Sequence, residues 1–130
     1  MDDSEFLRLF HEGALTGDEF RHREHLRLAW LVLTKHRREE AEQIIADEIR
    51  RFAFANGASN RYHDTLTRFW VRIVSHAMEN SHDARSIDEL LASFPFLLDK
   101  GLPDRHWRGE TFNSNLARAG WVEPDLVPLP

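Results

Sequence analysis

From Asp18 to Phe94 the chain contains a single glycine, Gly57, and no proline. So long a stretch without breakers accommodates helices and denies a sheet its turns. Within it apolar residues recur at intervals of three and four, and nowhere alternate as a half-buried strand requires. The expected fold is all-α: a small antiparallel bundle of four to five helices with an extended, loop-rich C-terminal segment.

Helix ends are read from caps and breakers. A first helix runs from about Ser4, its cap, to Gly13, with Phe6, Leu7 and Phe10 as its apolar stripe. A second starts at Thr16 or Asp18 and continues to about Lys35. A third spans about Arg38 to Ala55 and stops at Asn56-Gly57, and a fourth follows Ser59-Asn60 to about Glu79. Ser86 with Glu89 three residues on predicts a capping box for a short fifth helix, "SIDELLAS", which Pro95 ends. Beyond it lie Gly101, Pro103, Gly109, Gly120, Pro124, Pro128 and Pro130, with a short helix expected from Asn115 to Ala119. The ending "WVEPDLVPLP" is too apolar for a free tail and is expected to pack across the bundle. The chain reads as one domain, the bundle occupying about 4–93 and the loop-rich segment about 94–130.

At 130 residues, 42% of them hydrophobic and including nine Phe and four Trp, the chain can bury a real core. A formal charge of −5 leaves no basic footprint for nucleic acid. Basic runs such as Lys35-His-Arg-Arg38 sit beside Glu39, Glu40 and Glu42, as on a solvated, ion-paired helix face. There is no cysteine, so any metal must be held by His, Asp or Glu. No apolar run suffices to span a bilayer, and "MDDSEFLRLF" lacks the pattern of a signal peptide; the expectation is a cytoplasmic protein of bacterial type, without membrane or nucleic-acid partners.

The stretch "FRHREHLRLAW" carries the functional question. At about 100° per residue, Arg23, Glu24, Arg27, Thr34 and Lys35 form the polar arc of the second helix. His22 and His25 fall on the opposite arc with Leu26, Leu28, Ala29, Val32 and Leu33. On the third helix Glu48 falls within the apolar face of Ala41, Ile44, Ile45, Ile49 and Phe52, where a carboxylate needs a partner. On the fourth, His63 lies at the edge of an arc of Tyr62, Leu66, Phe69, Trp70, Ile73 and Ala77, with Thr67 one turn on; Asp64, Arg68 and Arg72 are assigned to solvent. In an antiparallel bundle all four inward polar groups come to the same end.

These residues predict a shared pocket. His22, His25, His63 and Glu48 are the candidate ligands of one divalent metal, with Zn, Fe, Mn and Ni all compatible, or the contacts of a small polar ligand; Tyr62 and Thr67 are the supporting donors. The competing reading is a structural hydrogen-bond network in a non-enzymatic interaction or accessory protein. Catalysis ranks below binding, because no nucleophile or general base stands out apart from a metal. Oligomeric state is not legible. His11, His36, His76, His82 and His106 read as surface or helix-end residues, and the loop "DRHWRGETFN" as exposed, or as a lid or anion site. Glu19 with His22, and Glu79 with His82, match Glu-x-x-His spacing, but the further bridging glutamates of a dimetal bundle are missing. His-Glu-x-x-His, phosphate-loop and nucleophile-elbow motifs do not occur.

"FRHREHLRLAW", "YHDTLTRFW" and "ARAGWVEPDLVPLP" together resemble a family of small bacterial all-helical proteins with Phe-x-His-x-x-His-Leu, Tyr-His-x-Thr-x-Thr and Pro-Asp-Leu-x-Pro-Leu-Pro segments. The resemblance covers almost the whole chain and implies Phe20, His22, His25, His63, Thr65 and Thr67 as motif positions. It implies no activity, and it leaves Glu48 outside.

Overall fold

A computed structural model describes all 130 residues. It contains helices α1 (Asp3–His11), α2 (His22–Leu33), α3 (Arg38–Ala55), α4 (Asp64–Glu79), α5 (Ile87–Ser93), α6 (Gly109–Phe112) and α7 (Asn115–Ala119), and no strand. Short 3-10 turns occupy Gly17–Glu19, Ser59–Arg61, Pro95–Leu98 and Leu102–Arg105. No helix is long and apolar enough to cross a membrane.

α2, α3 and α4 pack on one another as the central unit; α5 with its following turn lies against α2, and α7 against α4. The apolar periodicity dictates this, because Leu26, Ala29, Ile45, Ile49, Phe69 and Ile73 all leave water on the facing sides. A contiguous cluster of 23 buried apolar residues results.

Two helix starts differ from expectation. Asp2, not Ser4, caps α1, its carboxylate accepting from Glu5 N at 2.8 Å. The second helix is broken in two. Thr16 and Glu19 close a capping box around the 3-10 turn, with Thr16 N donating to Glu19 Oε1 at 2.9 Å. Phe20 then leaves helical geometry, at φ −114° and ψ 76°. Its burial accounts for the break: the ring stacks on Phe10 and meets Phe52, both at 4.8 Å between centroids, and only 5% of the residue remains exposed. α2 consequently begins at His22 itself. α3 ends where expected, at Asn56-Gly57, with Gly57 at φ +65°, a conformation that a side chain would strain.

In the loop of Arg105 to Arg108 the two arginines are exposed, but the two residues between them are buried. Trp107 is 1% exposed and its indole N–H donates to Val122 O at 3.0 Å. His106 is also buried, its Nδ1 donating to Val127 O at 2.7 Å, so it is not a surface histidine. These contacts, with Leu126 N donating to His106 O, strap the extended ending onto the bundle as its apolar content predicts.

The third departure concerns charge. Asp64 and Glu42, expected in solvent, are 1% and 4% exposed. Asp64 accepts from Tyr62 OH at 2.7 Å, Arg68 Nε at 2.7 Å and Arg50 Nη2 at 2.9 Å. Glu42 pairs with Arg38 and accepts from Arg72 Nε at 3.0 Å. The long arginines lie over the seam between α3 and α4 and fold their charges inward to meet the carboxylates. Removing one side of such a buried pair leaves several donors uncompensated. Asp64→Ala should therefore cost about 3–5 kcal/mol, whereas Asp88→Ala, which removes an exposed pair with Arg23, should cost under about 1 kcal/mol; urea unfolding followed by circular dichroism measures both.

Candidate ligand pocket

At the end of the bundle where α2 and α4 begin, the central helices leave a cavity of about 440 Å³. Its apolar surface comes from Phe20, Ala29, Ile45, Ile49, Leu66 and Trp70, among others. Five residues singled out in the sequence line it as well: His22, His25, Tyr62, His63 and Thr67. Arg21, Arg61 and Lys100 complete the wall, and no Asp or Glu is among the lining residues.

The three histidines are chemically unlike. His63 is the N-cap of α4: its Nδ1 accepts from Leu66 N at 3.0 Å, and its Nε2 donates to Phe112 O at 2.7 Å. The backbone amide requires an unprotonated Nδ1, which fixes the proton on Nε2. The ring stacks on Phe112 at 4.4 Å between centroids. With both nitrogens engaged, His63 has no lone pair free for a metal.

His22 donates from Nε2 to Leu97 O at 2.8 Å and packs edge-on against Trp70 at 4.5 Å. That bond leaves Nδ1 as an acceptor. Burial is the main influence lowering its pKa, and the nearby Lys100 ammonium lowers it further, partly offset by the bond to Leu97. His25 stands apart. Its half-buried ring lies against Phe20 at 4.3 Å and lines the cavity, yet makes no hydrogen bond within the chain. Burial, and secondarily the proximity of His22, push its pKa down to about 4. At neutral pH it is therefore an uncharged imidazole in an apolar setting without a partner.

The four-ligand metal set does not assemble. Glu48 accepts from His11 Nε2 at 3.1 Å and lines a different cavity, beside Phe10, Arg51 and Phe52. The stacked rings of Phe10, Phe20 and Phe52 stand between the two cavities. The physical reason lies in α1. A broad apolar face on α3 serves two neighbours, Ile45 and Ile49 turning to the pocket while Glu48 and Phe52 turn to the side that α1 covers. No group of three or more His, Asp or Glu side chains is arranged to hold a metal ion.

Tyr62 and Thr67 also take other parts. The Tyr62 hydroxyl donates to Asp64; burial and that carboxylate hold its pKa far above the usual phenol range. Thr67 Oγ1 donates to His63 O at 2.9 Å. Both brace the first turn of α4 while presenting their remaining surface to the cavity. Thr65 turns away from it, donating to Gly120 O at 2.8 Å and accepting from Val122 N at 3.2 Å.

Arg61 and Lys100 were not foreseen, because each sits in a loop whose position only the tertiary fold determines. The Asp64 network left a usable signal in its spacing, since Asp64 and Arg68 are one turn apart. The chain matches no family model, no curated protein and no solved structure; any functional reading rests on the pocket's own residues.

The histidines make stability pH-dependent. The folded pKa of His22, His25 and His63 lies below the ordinary 6.5 in each case. Between that value and about 4 for His25, the unfolded chain binds protons that the folded chain refuses, so stability is full above the window and falls as pH falls through it. From pH 7 to pH 5 His25 alone should remove about 2 kcal/mol. In His25→Gln the decline in unfolding free energy should be shallower by about that amount, as read from urea titrations at the two pH values.

Proposed function

We propose that the protein binds a small organic molecule in the cavity between α2, α3 and α4, with an apolar body packed on Trp70, Ile45 and Leu66 and an O–H or N–H group donated to His25. One observation carries this reading: the half-buried, uncharged imidazole of His25, which has no hydrogen bond in the chain, at the wall of a ligand-sized cavity. A ligand that fills the cavity takes this imidazole out of water, and a hydrogen bond donated to it offsets the cost of doing so. The cavity volume falls in the range that suits small organic ligands, and an apolar wall with a few convergent polar groups is their usual setting.

The structural-network reading accounts for His63, both of whose nitrogens serve the fold. It does not account for His25, which lies against the ring of Phe20 and makes no hydrogen bond in the chain. A metal would have to bind through His22 and His25 without a third protein ligand, and structural or catalytic sites ordinarily supply three or four. The reading is one of binding; His25, uncharged and in a cavity wall without a carboxylate, is placed to accept a hydrogen bond.

A neutral phenol tests it. 4-Propylphenol offers an apolar body and one donor, and calorimetry should register saturable one-to-one binding to the intact chain. His25→Phe, which fills the cavity and deletes the acceptor, should weaken it by at least about tenfold, equivalent to one hydrogen bond plus lost volume. Equal binding by both proteins would place the phenol elsewhere and overturn the proposal. Stoichiometric zinc, retained on purification and lost in His22→Ala, would replace it with a metal site.

A further inference from the structure

The charge distribution around the same cavity goes a step beyond the presence of a ligand and concerns its kind. In a chain whose formal charge is −5, the pocket wall holds Arg21, Arg61 and Lys100 and no carboxylate. None of these three cations forms an ion pair, as is true of several other cations in the chain, and Arg21 Nε donates to Asp18 O at 2.8 Å; what sets the three apart is that they share one wall without a carboxylate. Of the carboxylates adjacent in sequence to wall residues, Asp64 has both oxygens committed to Tyr62, Arg50 and Arg68, while Glu24 accepts from Arg21 N and Asp99 from Gly101 N.

The fold adds to this positive field. α2 begins at His22 and α4 at Asp64, so the N-terminal, positive ends of two long helices open at the same cavity. The cations are exposed, at the mouth; Phe20, Ala29, Ile45 and Trp70 are buried within, and His22 and His25 are half-buried. Polarity is thus graded along the pocket, from charge at the entrance to an uncharged acceptor and apolar walls inside.

We infer that the pocket's ligand class is a small carboxylic acid with an apolar, hydroxyl- or amine-bearing body, its carboxylate held at the mouth by Lys100 and Arg61, with Arg21 beside them. This rests on the cavity being a ligand site, as proposed above, and adds the head group. Lys100 is the best placed of the three, since its ammonium already acts on His22. A carboxylate there would meet two loop cations at once, while the body reached inward past His22 toward His25. A cationic ligand would face like charge with no counter-charge in the wall, and a neutral one would leave the mouth cations as unpaired as they are now.

Two isosteric probes separate the head-group inference from the pocket reading: 3-(4-hydroxyphenyl)propionate and the corresponding propionamide, titrated calorimetrically into the intact chain, into Arg61→Glu/Lys100→Glu, and into His25→Phe. The acid should bind about tenfold more tightly than the amide, the scale of a few partly exposed ion pairs, and should weaken as salt is raised. The double charge reversal, at exposed positions, should leave the urea midpoint and the amide affinity unchanged and abolish the acid's advantage. If acid and amide bind equally, and both are lost in His25→Phe, the head-group inference fails while the pocket reading stands. If the acid's advantage survives the charge reversal, the carboxylate lies elsewhere and the inference likewise fails. Failure of both compounds to bind the unaltered chain overturns both.

Discussion

The carboxylate of Asp64 organises much of what surrounds it. Almost wholly removed from water, it takes hydrogen bonds from Tyr62, from Arg68 one turn along α4 and from Arg50 on α3. A buried carboxylate tolerates neither a missing donor nor a slipped register. It therefore fixes how α4 lies on α3, and it aligns the chain just before α4. Tyr62 is turned by it toward the cavity, and His63, held between Asp64 and Tyr62 in sequence, is left to cap the helix. With Glu42 and its arginines one stage farther along the seam, the two central helices are joined by charge as well as by the apolar contacts of Ile45, Phe69 and Ile73.

The all-helical fold was legible because it depends on local rules: the scarcity of Gly and Pro before Pro95, the spacing of Ile45, Ile49, Phe69 and Ile73, and the Ser86 cap. What escaped was whatever needed a third element to decide it. Glu48 lay on an apolar face, but whether that point of the face met the pocket or α1 depended on where α1 docked. Asp64 and Glu42 looked solvated because each sits among arginines, and composition does not say whether the pairs fold inward or outward. Trp107 and His106 occupy a polar run that reads as exposed loop; the apolar ending packed against them drew both into the interior. His22 and His25 were placed correctly on the inward arc of α2, and the helix break at Phe20 makes His22 its first residue.

The chemistry of the pocket is internally consistent. An imidazole deprived of water resists protonation, and cations nearby deepen the resistance. Lys100 acts in this way on His22, and Arg118 on His63, beyond the effect of burial. Burial keeps the rings neutral, and the cations that add to it at His22 and His63 also make the entrance hospitable to negative charge. Three histidines in one cavity had suggested equivalent ligands; their hydrogen bonds make one a helix cap, one a partly engaged acceptor and one a free acceptor.

The hydrogen bonds of His63 to Phe112 and of Thr65 to Gly120 cross intervals of 49 and 55 residues. They have a consequence for the order in which the molecule assembles. On a chain emerging from the ribosome, α2, α3 and α4 become available long before the residues that brace the first turn of α4. Contacts so distant in sequence carry a large loop-closure cost and form late. The pocket's α4 wall is accordingly finished only when the last third of the chain has docked, so that synthesis cut short after α5 yields the three central helices without a completed binding cavity.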